Sequence, residues 1–282
     1  MKSHLTLSDH WRPLDRLALA IIVIYLVSAI GVWLGWWARD WAAITGTMWE
    51  GPTLEHWLGT NLLGQDIAQR TIAATARAFE IGLTIGIMAI LLGGLFGSMA
   101  GFFSGTWIDA LILWLAGTLD AIPFYLLVIA LAFSLRGHPL AMQLAMVLAF
   151  WTTTARVVRA EVLSLRQSGF VEAARVGGSS NRRIISRHIL PHTSTLLITQ
   201  GMIVFVAAIK AEVILSFLGI GFADGISWGI MIAESTQEIL AGQYMNFASA
   251  SLMLFVLVAS MSLLADRLQS MLDPRDDSGV RT

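Results

Sequence analysis

Residues 172–178 read Glu172-Ala173-Ala174-Arg175-Val176-Gly177-Gly178, and the chain goes on to Ile189-Leu190-Pro191. These residues belong to a polar stretch that interrupts two long apolar runs. Seven arginines and no lysine fall between Arg156 and Arg187. A charged, glycine-broken loop between hydrophobic helices is where a membrane protein can meet a soluble partner.

The composition around this stretch fits that reading. Hydrophobic residues make up 56% of the 282, charged residues 13%, and the mean hydropathy is +0.71, values that belong to integral membrane proteins. The net charge of -1 says little, because the 18 basic and 19 acidic residues are unevenly distributed. With no cysteine there is no disulfide, thiolate chemistry or Cys-based metal site. Six apolar runs, at about 17–37, 78–102, 108–135, 140–158, 193–219 and 247–265, are each long enough to cross a hydrocarbon core as a helix. The sequence thus predicts an all-α integral membrane protein with six transmembrane helices. Val27-Ser28-Ala29 resembles a signal cleavage site, but the first run continues into Trp33, Trp36, Trp37 and Trp41 and is expected to be a retained anchor.

Sidedness follows from Lys and Arg. Lys2, Arg12 and Arg16 precede the first run, seven arginines lie in or beside the loop between runs four and five, and Arg267, Arg275 and Arg281 follow the last run. The other side has Arg39, Arg70, Arg77 and Arg136, while Lys210 lies within a crossing. The positive-inside rule then puts both termini and the arginine loop in the cytoplasm. The loop after run five faces outward, with Asp224, Glu234 and Glu238 as its charges. The external connection of about 38–77 is too short for a substantial domain and is expected to lie along the membrane surface, with Trp41, Trp49 and Trp57 as interfacial anchors. Gly93, Gly97 and Gly101 recur every fourth residue, preceded by Gly82 and Gly86 and followed by Gly105. Such a stripe admits another helix, either within this chain or from another membrane subunit.

Residues 169–191 divide into two short helices. Glu172 falls in the first turn of one starting near Gly169, where its charge complements the helix dipole. Gly177-Gly178 ends that helix, since glycine accepts the left-handed conformation. Ser179, Ser180 or Asn181 can cap the second. Pro191 is expected to end or kink it where the chain re-enters the membrane.

Glu172-Ala173-Ala174, Gly178 and Leu190-Pro191, at this spacing in the last cytoplasmic loop, resemble the signature loop of binding-protein-dependent ABC importer permeases. His188 stands where an isoleucine is usual, with Ile189 beside it. Gly59-Thr60-Asn61-Leu62-Leu63-Gly64-Gln65-Asp66 resembles the Gly-Thr-Asp-x-x-Gly-Arg-Asp segment of the C-type permeases of dipeptide, oligopeptide and nickel importers. Leu215-Ser216-Phe217-Leu218-Gly219-Ile220-Gly221 with Ser227-Trp228-Gly229, and Leu272-Asp273-Pro274-Arg275, are similar to other segments of that branch. Asn61 and Gln65 replace an acid and an arginine, and the prolines usual after Leu-Ser-Phe-Leu-Gly are missing.

The resemblance implies a type I ABC importer permease fold in a bacterial or archaeal cytoplasmic (inner) membrane. It divides the chain into 1–77, a five-helix core at 78–265 with a coupling loop at about 160–192, and a tail at 266–282. It further implies four kinds of partner: a second homologous permease, two cytoplasmic ATPase subunits or domains, an external substrate-binding protein and the lipid bilayer. ATP and Mg would be bound by the ATPases, with no cofactor on this chain. Glu172, Ala173, Ala174, Gly178, Ile189, Leu190 and Pro191 would form the ATPase-coupling loop of an importer for peptides or related small solutes. Arginine attraction to anionic lipid is the plainer reading of the same loop.

Asp120, Lys210 and Glu212 lie within apolar runs, where ionisable groups face a bundle interior or a watery path. Asp120, Glu212 and Lys210 are candidates for the translocation pathway or a gate, with a structural pair or snorkelling to the interface as the alternative for Lys210. A G-x-x-x-x-G-K-[ST] phosphate loop, H-E-x-x-H and G-x-S-x-G are all missing. His188 and His192 have no carboxylate to complete a metal set, and membrane-flanking arginine gives no reason to expect nucleic acid. The rivals are an export-complex or scaffold subunit with the same docking loop, and an intramembrane enzyme, which would need more converging polar residues than Asp120 and Glu212.

Overall fold

The computed structural model describes residues 12–135, 138, 140–220 and 225–272. Lys2, Arg136, Gly221, Asp224, the Asp273-Pro274-Arg275 part of the tail motif and Arg281 lie outside them. The described residues form ten α-helices and one π-helical turn, with no strand among them. They fall into two compact units, Met1–Glu80 with Ile209–Thr282, and Ile81–Ala208.

The first unit holds α1 (Pro13–Trp33), the start of α2 (Ile67–Phe102), the end of α8 (Leu190–Phe217), α9 (Trp228–Leu240) and α10 (Met245–Leu272). Pro13 opens α1, where its missing N–H costs no helix bond, and the Asp15 carboxylate accepts from the Arg12 amide at 2.9 Å. Asp15 also pairs with Arg267 of α10 at 3.2 Å, and the Tyr25 hydroxyl donates to the Met253 carbonyl at 3.0 Å. The chain between α1 and α2 is held by turns and two isolated bridges, Ile44 with Gln65 and Thr60 with Asp66. Asp66 caps α2 by accepting from the Gln69 amide at 2.9 Å, and its other oxygen bonds His56 Nδ1 at 3.0 Å. From α9, Glu238 accepts the Leu62 amide at 2.7 Å and Glu234 pairs with Arg70.

The second unit holds the rest of α2, α3 (Trp107–Asp120), α4 (Phe124–Ser134), α5 (Ala141–Leu165), α6 (Gly169–Val176), α7 (Asn181–Ile184), the π-turn Ile185–Ile189 and the start of α8. Its glycine stripe packs within the chain. A Cβ on Gly97 would lie 2.5 Å from the Ala155 carbonyl, one on Gly101 2.7 Å from the Arg159 carbonyl, and Gly93 abuts Thr154, all on α5. Such closeness admits backbone contact without a side chain in between.

Among the described residues five helices are long and apolar enough to cross a membrane, and a sixth span is reached if α3 and α4 count as one. Three features differ from the sequence reading. The run 108–135 is broken, with α3 and α4 meeting at 93°, because Pro123 has no amide to continue the helix. The helix expected from about residue 78 begins at Ile67, since the Asp66 cap brings the polar start of α2 into regular structure. Helix also continues through Pro191 from Asn181 to Phe217, where an end or a kink was expected. The π-turn explains this continuity: the Leu190 amide reaches back five residues to Ile185, and Pro191 falls near the start of α8, where a missing N–H is tolerated.

Candidate functional site

The polar loop is built largely from local rules. Ser168 precedes α6 in extended backbone, and Glu172 lies in its first turn. The helix ends in a Schellman motif: the Gly178 amide bonds the Arg175 carbonyl at 3.1 Å and the Ser179 amide bonds the Ala174 carbonyl at 3.0 Å. Gly178 sits at φ +77°, and nothing surrounds its missing Cβ, so backbone conformation alone requires glycine there. Of the three candidate caps for α7 it is Ser180 that serves, accepting from the Arg183 amide at 3.4 Å.

The loop is anchored on one side only. Val171 of α6, Ile184 of α7 and Ile189 of the π-turn are fully buried against Phe102 of α2 and Val158 and Val162 of α5. Burying each of these three side chains contributes about 1.5–3 kcal/mol. His192 stacks on Phe170 with ring centres 4.7 Å apart, holding the start of α8 against α6. Glu172, Ala173, Arg175, Gly178 and Pro191 are exposed, Ala174 and Leu190 are half-buried, and only Ile189 of the predicted set is buried. Sequence reasoning missed the anchors Val171 and Ile184. It also missed Val176, an apolar side chain 85% exposed at the end of α6. Leu163, Arg166, Gln167, Glu172, Arg175 and Val176 line a shallow depression of about 500 Å³ there. Val162, Leu165, Val171 and Ile184 follow no single period across the loop, which hid the anchors.

The three ionisable residues in apolar runs are divided between the two compact units. Asp120 ends α3 in the second unit, where it accepts from the Thr152 hydroxyl at 2.7 Å and pairs with Arg156 of α5 at 2.8 Å. Glu212 lies buried in α8 of the first unit, accepting from the Ser216 hydroxyl. Lys210, two residues earlier on α8, is exposed and has no salt bridge among the described residues. A second α3–α5 pair, Asp109 with Arg159 at 2.7 Å, was not anticipated.

The two departures in the segment ahead of α2 meet each other. Asn61 donates its side-chain amide to Gln65 Oε1 at 2.9 Å, and both are buried. A neutral amide pair therefore stands where the resembling segment has an acid and an arginine.

Residues 93–276 match the family described as binding-protein-dependent transport system inner membrane component. The chain is 34% identical over 238 residues to the oligopeptide transport system permease protein OppC of Mycobacterium bovis, across 82% of this chain and 81% of that protein. It is 31% identical over 274 residues to the dipeptide transport system permease protein DppC of Bacillus subtilis, across 95% and 85%. Among solved structures it is similar to a chain of the MetNI methionine ABC transporter in an inward-facing conformation, with a TM-score of 0.59 at 16% identity, covering 72% of this chain and 96% of that one.

Proposed function

The chain belongs to the binding-protein-dependent transport system inner membrane components, and from that premise we propose that it moves peptides or related small solutes inward, driven by ATPases that grip its exposed loop. It is a permease subunit of an ABC importer, and ATP hydrolysis occurs in partner subunits. The peptide reading is supported by the names of the relatives, OppC and DppC. Six spans with both termini cytoplasmic remain part of the proposal, with α3 and α4 as one bent span, and the lysine and arginine distribution supports that orientation.

The observation that carries the coupling role is the loop's two-sidedness. Glu172, Ala173, Arg175 and Val176 are presented outward, while Val171, Ile184 and Ile189 grip α2 and α5. A load applied by an ATPase to the outer face of α6 reaches two candidate spans through packed side chains, because a close-packed cluster transmits displacement. Ala173 allows close approach, Glu172 offers a fixed charge and the Gly178 turn aims the helix. Leu190 and Pro191 carry the movement into α8. The partners of this reading are a second homologous permease, two cytoplasmic ATPase subunits or domains and an external substrate-binding protein. Alternating access follows when closure of the ATPase pair rocks the helices. Asp120, at the α3–α4 break, and separately Glu212 and Lys210, within α8, are the residues assigned to the pathway or a gate.

Reconstituted vesicles containing the assembled importer test the coupling role. Glu172→Lys and Gly178→Pro are expected to insert and assemble, to hydrolyse ATP and to lose uptake. Normal substrate-stimulated hydrolysis together with normal uptake in both variants would remove the role from this loop.

A further inference from the structure

Two carboxylates of α3 face two arginines of α5, and the two pairs are built differently. Asp109 and Arg159 use both oxygens and one full edge of the guanidinium, Nε to Oδ1 at 2.7 Å and Nη2 to Oδ2 at 2.9 Å. Asp109 also accepts the Gly105 amide at 3.1 Å. The side chains are 7% and 25% exposed, and this pair is closed. In the other pair Arg156 Nε and Nη2 converge on a single oxygen, Oδ2 of Asp120, at 3.0 and 2.8 Å. The remaining oxygen takes the Thr152 hydroxyl at 2.7 Å. The Arg156 side chain is 46% and the Asp120 side chain 40% exposed, and no protein acceptor meets Arg156 Nη1 among the described residues.

Arg156 is therefore held by one edge and open on the other. The open edge, Nη1 with the outer N–H of Nη2, is a planar fork that matches a carboxylate. Its place matters as much as its shape. Asp120 and Arg156 lie on candidate membrane helices, Asp120 at the 93° break between α3 and α4, and an ion pair exposed on such helices is tolerated facing water or a polar surface rather than lipid. Asp120 and Thr152 keep the guanidinium oriented, and the Asp120 charge reduces the net positive field that an anion would feel. An anion can then bind and leave, which is what a transport path requires.

We propose that Arg156, positioned by Asp120 and Thr152, is a transit subsite for the C-terminal carboxylate of a peptide, an inference that rests on the peptide-import reading above. The alternative occupant of the open fork is an acidic side chain of the neighbouring permease, which would make Arg156 a subunit contact.

The test uses the complete importer in vesicles and two peptides of one sequence, one with a free C-terminal carboxylate and one with a C-terminal amide. Both are supplied at concentrations shown by binding-protein fluorescence to saturate the external binding protein, so that passage through the permease is compared rather than capture. For the native chain, uptake of the acid is expected to exceed that of the amide by about 10-fold, the scale of one charge-assisted hydrogen-bonded contact. Arg156→Gln is expected to slow the acid by about that factor, leave the amide unchanged and bring the ratio close to one. Arg156→Lys, which keeps the charge without the fork, is expected to fall between and also provides the comparison if the glutamine variant does not assemble. Asp109→Asn is expected to lower the thermal midpoint with no change in the ratio. Equal slowing of both peptides in the Arg156 variants would overturn the subsite and identify a subunit contact. An unchanged ratio would overturn it as well. If native vesicles hydrolyse ATP and take up neither peptide, the peptide reading itself fails and the subsite falls with it.

Discussion

At the scale of single residues, the backbone angle of Gly178 and the ion pair of Asp109 illustrate two kinds of constraint. Alanine at φ +77° is strained although nothing touches the added methyl, so Gly178→Ala is expected to destabilise the loop by about 1 kcal/mol. Limited proteolysis of the purified importer should then cut faster within residues 177–181. Asp109→Asn leaves a half-buried Arg159 without its carboxylate, and a loss of about 2 kcal/mol is expected, read as a lower thermal midpoint in detergent. The glycine was legible in the sequence because its cause is local, in a turn four residues long. Both acid–base pairs were not, because their partners are 36 and 50 residues apart and only the packing of α3 on α5 reveals them. The exchange at Asn61 and Gln65 was visible as two departures from a pattern, yet their mutual hydrogen bond needed the turn that brings residue 65 back to residue 61.

Among the elements, the loop helices behave as a lever with a buried fulcrum. Val171→Ala removes two methyl groups from the cluster with Phe102, Val158 and Val162, a change expected to cost about 2 kcal/mol. Its signature should be an ATPase rate near native with reduced uptake per ATP, measured in the same vesicles. A drop in both rates by the same factor would instead mean that the variant only reduces the amount of assembled importer. Apolar run length made most helices legible, and Ser180, Gly178 and Glu172 marked the ends of α6 and α7. The run across residues 108–135 looked uniform because hydropathy carries no angle. Pro123 gave the position of the break, and its 93° bend is set by how α4 packs on α5. The π-turn was hidden for a related reason: it is a compromise between the burial of Ile184 and that of Ile189, both fully enclosed, and no residue type announces it.

For the molecule as a whole, the segment between α1 and α2 is tied to α9 through Leu62 and Glu238 and to the start of α2 through the buried contact of His56 with Asp66. The hydrogen bond to Asp66 raises the His56 pKa above its ordinary value, opposed by burial and aided by the charges of Asp66, Glu50 and Glu55. Stability from this contact is therefore fully present below the unfolded-state pKa of about 6.5, and it is lost as pH rises through the higher folded-state value. The thermal midpoint of the assembled importer should fall across that upper range, and His56→Asn should flatten the fall. The same helix path that keeps α7 and α8 continuous has a different consequence for how the chain tolerates change in length. A π-turn accommodates one residue more than an α-helix of the same rise, and each residue of an α-helix rotates the chain by about 100°. Deleting Ser186 is therefore expected to convert the turn to ordinary helix while Ile184 keeps its socket, whereas deleting a residue from the regular helix that follows would turn Ile184 relative to α8 by about 100°. The direction in which the loop faces is thus set by a count of residues in the regular helix, while the turn at residues 185–189 is the place where the loss of one residue is absorbed.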